Sequence, residues 1–122
     1  MAATLSIPVS IGEVIDKITI LEIKKERIKN PEALKNINYE LVQLVDKDEV
    51  KVDAAHYQLL KIVNEQLWDV EDELRILEKH TDFGERFVKL ARSVYILNDQ
   101  RAAIKKDINL KYKSNIIEEK SY

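Results

Sequence analysis

The 122-residue sequence has no cysteine, two glycines, two prolines, two histidines and one tryptophan. Without cysteine there are no disulfides, which fits a reducing compartment. Two histidines and no thiol exclude zinc-finger and iron–sulfur sites, whose ligand sets need more of both. Any metal would be a hard ion held by carboxylates. The scarcity of glycine and proline excludes a turn-rich sheet protein, because tight turns draw on the special backbone angles of those residues. An excess of one charge is missing too: 22 acidic side chains face 20 basic ones, a formal net charge of −2. A dedicated nucleic-acid binder carries a large positive excess. No apolar run approaches the ~20 residues that span a bilayer. Met1 to Ser10 lacks the basic start and long apolar stretch of a signal peptide. The reading is a soluble cytoplasmic protein with no nucleic-acid partner, no membrane partner, no cofactor and no metal.

What the chain does have is helical periodicity, and the fold class read from it is all-α. The whole chain, 1–122, reads as a single helical-bundle domain, with an extended arm over 1–10 and an aperiodic tail over 114–122. Ser10, with Glu13 three residues on, makes a capping box, each side chain reaching the other's backbone N–H. Helix 1 runs from about Ile11 to about Lys29. Asn30 and Pro31 end it and open helix 2, because the residue before proline avoids the α region and proline suits the first helical position. Ala33, Leu34, Ile37, Leu41, Leu44 and Val45 form the face of helix 2, and 46–52 is read as a loop. Asp53 caps helix 3, which reaches about Lys79 with a seam of Leu60, Val63, Leu67, Val70, Leu74 and Leu77. That alternation of three- and four-residue intervals is coiled-coil-like. Asp82, with Glu85 three later, supplies the next cap. Helix 4 carries Phe83, Phe87, Leu90, Val94, Leu97, Arg101, Ile104 and Ile108 at the same spacing. Two such seams joined by a short connection predict a long antiparallel helical hairpin, with the two N-terminal helices packed on it. Helix 1 is apolar on more than one side, with Ile11, Val14, Ile15, Ile18, Leu21 and Ile28 on one face and Ile20 and Ile23 on another. That predicts a central position.

Two residues break the pattern. Arg101 occupies a seam position of helix 4, with Asn98 and Lys105 toward the edge of the same stripe. Glu22 projects from the main apolar face of helix 1, with Glu26 a turn later and Lys25 facing the same way. A lone carboxylate in a core costs several kcal/mol, so it finds a partner or neutralises. Arg101 is the natural partner, since guanidinium grips carboxylate bidentately. Three readings stand: an ion pair that docks helix 1 on the hairpin; an anion site in which Asn98, Arg101 and Lys105 hold a carboxylate or phosphate while Glu22 or Glu26 orients the cations or moves a proton; or a bundle that splays to let Arg101 reach solvent.

Other signals are weaker. Glu13 and Asp16, with Asp69 and Asp72, have the spacing of a Mg²⁺-chelating set. Asp69 and Asp72, however, lie opposite the seam of helix 3, so the acids read as a solvated face. Trp68 lies off the seam, as a second contact to helix 1 or 2 or as an interface anchor. His56 reads as a core-edge residue. Tyr57, Tyr95 and Tyr112 read as amphipathic packing residues. The basic stretch from Arg101 to Lys113 suits the negative end of a helix dipole.

The segments Ile7–Lys24, Leu90–Tyr95, Asn98–Lys105 and Glu118–Tyr122 resemble a family of small bacterial and phage proteins known as a domain of unknown function. The resemblance covers almost the whole chain and implies a common fold, with no assigned activity and no catalytic residues. A fainter likeness, through Ile15, Asp16 and Arg27, is to the helical chorismate mutases. The missing arginine a turn before Ile15, the missing charged run on the second helix and the missing glutamine on the last confine it to architecture. The function read from the sequence is a non-enzymatic helical binding or assembly module, a homo-oligomer or bound to a protein partner. The alternative is a small enzyme or binder of an anionic metabolite that uses the polar cluster.

Overall fold

The computed structural model describes residues 3–46 and 51–121. Among them there are four helices and no strand: α1 (Ile11–Arg27), α2 (Pro31–Asp46), α3 (Ala54–Lys79) and α4 (Glu85–Lys111). Met1, Ala2, most of the loop expected over 46–52 and Tyr122 lie outside the described residues.

The ends of these helices follow local chemistry. Ser10 Oγ accepts the Glu13 N–H at 3.1 Å, which is half of the expected capping box. The reciprocal half is replaced, because the Glu13 carboxylate goes to Lys105 of α4 at 2.5 Å. Asn30 Oδ1 accepts the N–H groups of Glu32 and Ala33 and so opens α2. Asp53 caps α3 through the His56 N–H at 2.9 Å. α4 starts at Glu85 and not at Phe83. Asp82 Oδ1 accepts the Gly84 N–H, which holds 82–84 in a non-helical turn, and Gly84 becomes the N-cap. Phe83 then lies half exposed with its ring edge-on to Phe87.

α3 and α4 both close without glycine. After α3, Thr81 adopts φ 52°, the Thr81 N–H meets Glu78 O and the Asp82 N–H meets Leu77 O. After α4, Lys113 adopts φ 56°, its N–H meets Leu110 O and the Ser114 N–H meets Asn109 O. This paired 5→2 and 6→1 bonding around a left-handed residue is the Schellman motif. It usually takes glycine there, and a side chain in that region costs about 1 kcal/mol.

α3 and α4 pack against each other, and α1 packs against all three other helices. α2 approaches α1 and neither of the longer helices at the backbone level. The start of α3 is tied to the end of α4 by Asp53, which accepts from Lys111 Nζ at 2.9 Å and Tyr112 OH at 2.8 Å. Late in α3, Glu73 pairs with Arg86, early in α4. Leu60 and Ile108 are wholly buried against Ile15 and Ile18 of α1, with Leu41 and Leu44 of α2 at the edge of that cluster. At 1.5 Å per residue α1 is about 26 Å long, whereas α3 and α4 approach 40 Å. α1 therefore leaves part of them uncovered. Between Leu67 and Ile108 no residue is fully buried.

Candidate functional site

Read at 100° per residue, Gly12, Asp16, Thr19 and Ile23 form a narrow stripe on α1. All four are buried. The stripe lets the α1 backbone come close to α4. The Gly12 N–H donates to Asn109 Oδ1 at 2.7 Å. A Cβ on Gly12 would fall 2.6 Å from the Lys105 carbonyl oxygen, closer than any side chain tolerates. Glycine is required there because two helices meet backbone to backbone.

One turn on, Asp16 is 1% exposed and holds the centre of a polar network. Arg101 Nε donates to Asp16 Oδ1 at 2.8 Å, and Arg101 Nη2 donates to Oδ2 in a short second bond. Asn64 Nδ2, from α3, donates to Asp16 Oδ1 at 2.9 Å and to Thr19 Oγ1 at 3.0 Å. The Thr19 hydroxyl donates to the Asp16 carbonyl oxygen at 2.8 Å. One carboxylate thus joins α1, α3 and α4. No buried side-chain nitrogen or oxygen among the described residues lacks a partner. The hydrogen bond to Asp16 raises the Arg101 pKa above its ordinary value, so the guanidinium is cationic throughout the physiological range.

The acid that Arg101 meets is therefore Asp16 and not Glu22, which corrects the expectation from the sequence. The reason lies in the helix wheel: Glu22 points about 120° away from Asp16. Glu22 and Glu26 instead face Lys61 of α3, at 4.0 Å and 2.6 Å. The hydrogen bond that Lys61 donates to Glu26 raises the Lys61 pKa. Burial, and then a hydrogen bond to Glu22, hold the Tyr57 phenol well above its usual value. Glu22 and Glu26 thus form a separate cluster with Lys61 and Tyr57, and neither lines a cavity beside Arg101. Arg27 pairs with Asp69 and lies over the Trp68 ring at 5.8 Å, so Trp68 is a contact to α1.

Asn98, Arg101 and Lys105 do come together. The Arg101 side chain is 28% exposed, and that part opens onto two grooves. One, of about 330 Å³, is lined by Tyr95, Asn98, Asp99, Arg101, Lys105 and Lys120, with Val94 and Ala102 at its base. The other, of about 240 Å³, runs between Trp68, Glu71, Ile20 and the far side of Asn98 and Arg101. The tail builds one wall of the first groove. Glu118 accepts from Ser10 Oγ at 2.8 Å, Glu119 pairs with Lys106 and Lys120 pairs with Asp99, so residues 114–120 return along α4. Three cations and one carboxylate line this groove.

The sequence put Asn98, Arg101 and Lys105 on one stripe, and they line one groove; it offered Asp16 only as a carboxylate beside Glu13, and it did not single out Asn64, Gly12, Asn109 or Lys120. The spacing of Gly12, Asp16, Thr19 and Ile23 was a signal, since it is a second seam running beside the isoleucine face. Lys120 carried none, because the tail has no period.

No helix among the described residues is long and apolar enough to cross a membrane. No curated protein and no solved structure matches the chain. The model of a family of unknown function, DUF6165, matches residues 5–122, and the chain belongs to that family.

Proposed function

We propose that this protein is a non-enzymatic helical binding module that holds an anionic group, phosphate or carboxylate, in the groove of Asn98, Arg101 and Lys105. The observation that carries this reading is the convergence of Arg101, Lys105 and Lys120 on one open groove whose lining includes a single carboxylate. Asp16 holds the guanidinium through Nε and Nη2, and Nη1 donates to Asn98 Oδ1 at 3.4 Å, beside the groove. A preset fork of this kind suits a planar or tetrahedral oxyanion. Tyr95 and Asn98 add neutral hydrogen-bonding groups. Glu22 and Glu26, bonded to Lys61, take no part.

In this reading the scaffold is one cytoplasmic domain over 1–122, built on an antiparallel hairpin of α3 and α4 with α1 and α2 on one side. The Asp53–Lys111 and Glu73–Arg86 pairs at its two ends support that direction. It works as a homo-oligomer or on a protein partner, and it binds neither nucleic acid nor membrane.

The test is thermal unfolding of the full chain with inorganic phosphate, and with a dicarboxylate, against chloride at equal ionic strength. Bound ligand at a hundred times its Kd stabilises by about 2.7 kcal/mol. The melting temperature is expected to rise, and the rise to vanish in the Asn98→Ala, Lys105→Gln double variant. No rise beyond chloride, or a rise that persists in the variant, overturns the proposal.

A further inference from the structure

Asn98 and Arg101 stand between the two grooves and line both. The first groove offers hydrogen-bond donors. Asn98 adds one: its Oδ1 accepts from Arg101 Nη1, so its Nδ2 is the end left to donate. Each cation of this groove also keeps a protein carboxylate, Arg101 with Asp16, Lys105 with Glu13 and Lys120 with Asp99. The groove therefore presents N–H groups without a large surplus of positive charge.

The second groove offers the opposite. It lies where α1, α3 and α4 meet, and α3 presents Asn64, Leu67, Trp68 and Glu71 to it. Asn64 is only 7% exposed. Its Nδ2 donates to both Asp16 Oδ1 and Thr19 Oγ1. A carboxylate only accepts, so the amide orientation is fixed and Oδ1 is left over. That oxygen meets no donor among the described residues, yet no fully buried oxygen there lacks a partner. It therefore opens onto the groove that Asn64 lines. Glu71, two turns further along α3, has no hydrogen bond or ion pair among the described residues, and its charge acts on Arg101 across the groove. Ile20 and Leu67 supply apolar wall. Two acceptors, one of them anionic, beside an apolar wall suit a group that brings N–H donors and a positive charge.

We propose that the ligand of this site is a free small zwitterion, with its phosphate or carboxylate in the first groove and a primary ammonium group, a few bonds away, in the second groove between Asn64 Oδ1 and Glu71. The ammonium is primary because acceptors need N–H bonds, which a quaternary nitrogen lacks. A ligand lying across Asn98 and Arg101 puts one end in each groove, and its two charges match the two kinds of lining. The inference deepens the anion-binding reading and rests on it.

Calorimetric titration of the full chain with three probes tests it. Ethyl phosphate carries the anion alone, phosphoethanolamine adds the primary amine, and phosphocholine has a nitrogen without hydrogen. Phosphoethanolamine is expected to bind about tenfold more tightly than either of the others, the effect of one charge-assisted hydrogen bond. It is also expected to change the emission of Trp68, the single tryptophan, which lines the second groove. Glu71→Ala, at an exposed position, is expected to abolish the preference for the amine. Ethyl phosphate binding as tightly as phosphoethanolamine, phosphocholine binding as tightly, or a preference that survives Glu71→Ala overturns this inference and leaves the anion reading standing. Failure of both ethyl phosphate and phosphoethanolamine to bind overturns the two together. Sedimentation with vesicles containing phosphatidylethanolamine tests the source: the protein is expected to stay in the supernatant, and pelleting would overturn a free ligand in favour of a lipid headgroup.

Discussion

The two ends of the α3/α4 pair are built from the same seam pattern and reach different degrees of burial. Where α1 lies across them, Leu60 and Ile108 are removed from water completely. Beyond Leu67, the seam residues Val70, Leu74, Leu77, Phe87, Leu90 and Val94 continue at unbroken spacing and none is fully buried. A seam between two helices buries one stripe of each and leaves the flanks wet. A third helix is needed to close the space. The contrast also explains where the polar network sits: Asp16 lies at the closed end, where α1 supplies low-dielectric surroundings and Arg101 and Asn64 supply the partners.

The largest effect is expected from breaking that network. Arg101→Met leaves Asp16 buried without its cation, which costs about 3–5 kcal/mol in comparable sites. The value here falls toward the lower figure, because the guanidinium is itself partly open to water. Urea unfolding measures it. A variant as stable as the wild type would mean that α1 docks through its apolar contacts alone and that the pair contributes nothing net.

A paired truncation sharpens the comparison directly. Leu60→Ala creates a cavity in the closed half and costs about 2–5 kcal/mol. Leu74→Ala, on the same helix and seam four turns later, removes a half-buried side chain beside water and costs about 1 kcal/mol. Urea unfolding of the two variants measures the difference, and equal losses would mean that the open half is covered within the single chain.

Much of this was legible beforehand. The four helices, the caps at Ser10, Asn30 and Asp53 and the placement of Asn98, Arg101 and Lys105 near one another follow from spacing and capping chemistry, which are local. The partner of Arg101 was not legible. The apolar face of α1 drew attention to Glu22 as its exception, whereas docking is decided by the neighbouring stripe, whose glycine permits backbone contact and whose aspartate meets three elements at once. Which of two faces turns toward α4 is a tertiary choice that no periodicity encodes. The tail was illegible for a related reason: its partners, Ser10, Lys106 and Asp99, are side chains far from it in sequence or across α4. The non-glycine turns at Thr81 and Lys113 were likewise unsignalled, since the usual marker residue is absent.

The smallest effect is expected at the opposite edge of the closed half, where Asp53 ties α3 to α4. Lys111, then the His56 N–H and the Tyr112 hydroxyl, hold the Asp53 carboxyl well below the ordinary aspartate range. A carboxyl depressed in the folded state stabilises above its unfolded value, about 4, and loses that contribution as pH falls further. Asp53→Asn is therefore expected to be less stable than the wild type at neutral pH, with the gap narrowing as pH drops below about 4. The gap is small because the group lies near the surface, and it shrinks further in high salt. Urea midpoints across that pH range, at low and high salt, measure both trends. A gap independent of pH and salt would show that this end of the closed half is held by cap geometry and by the Asp53 N–H bond to Tyr112, with the charge on Asp53 contributing nothing.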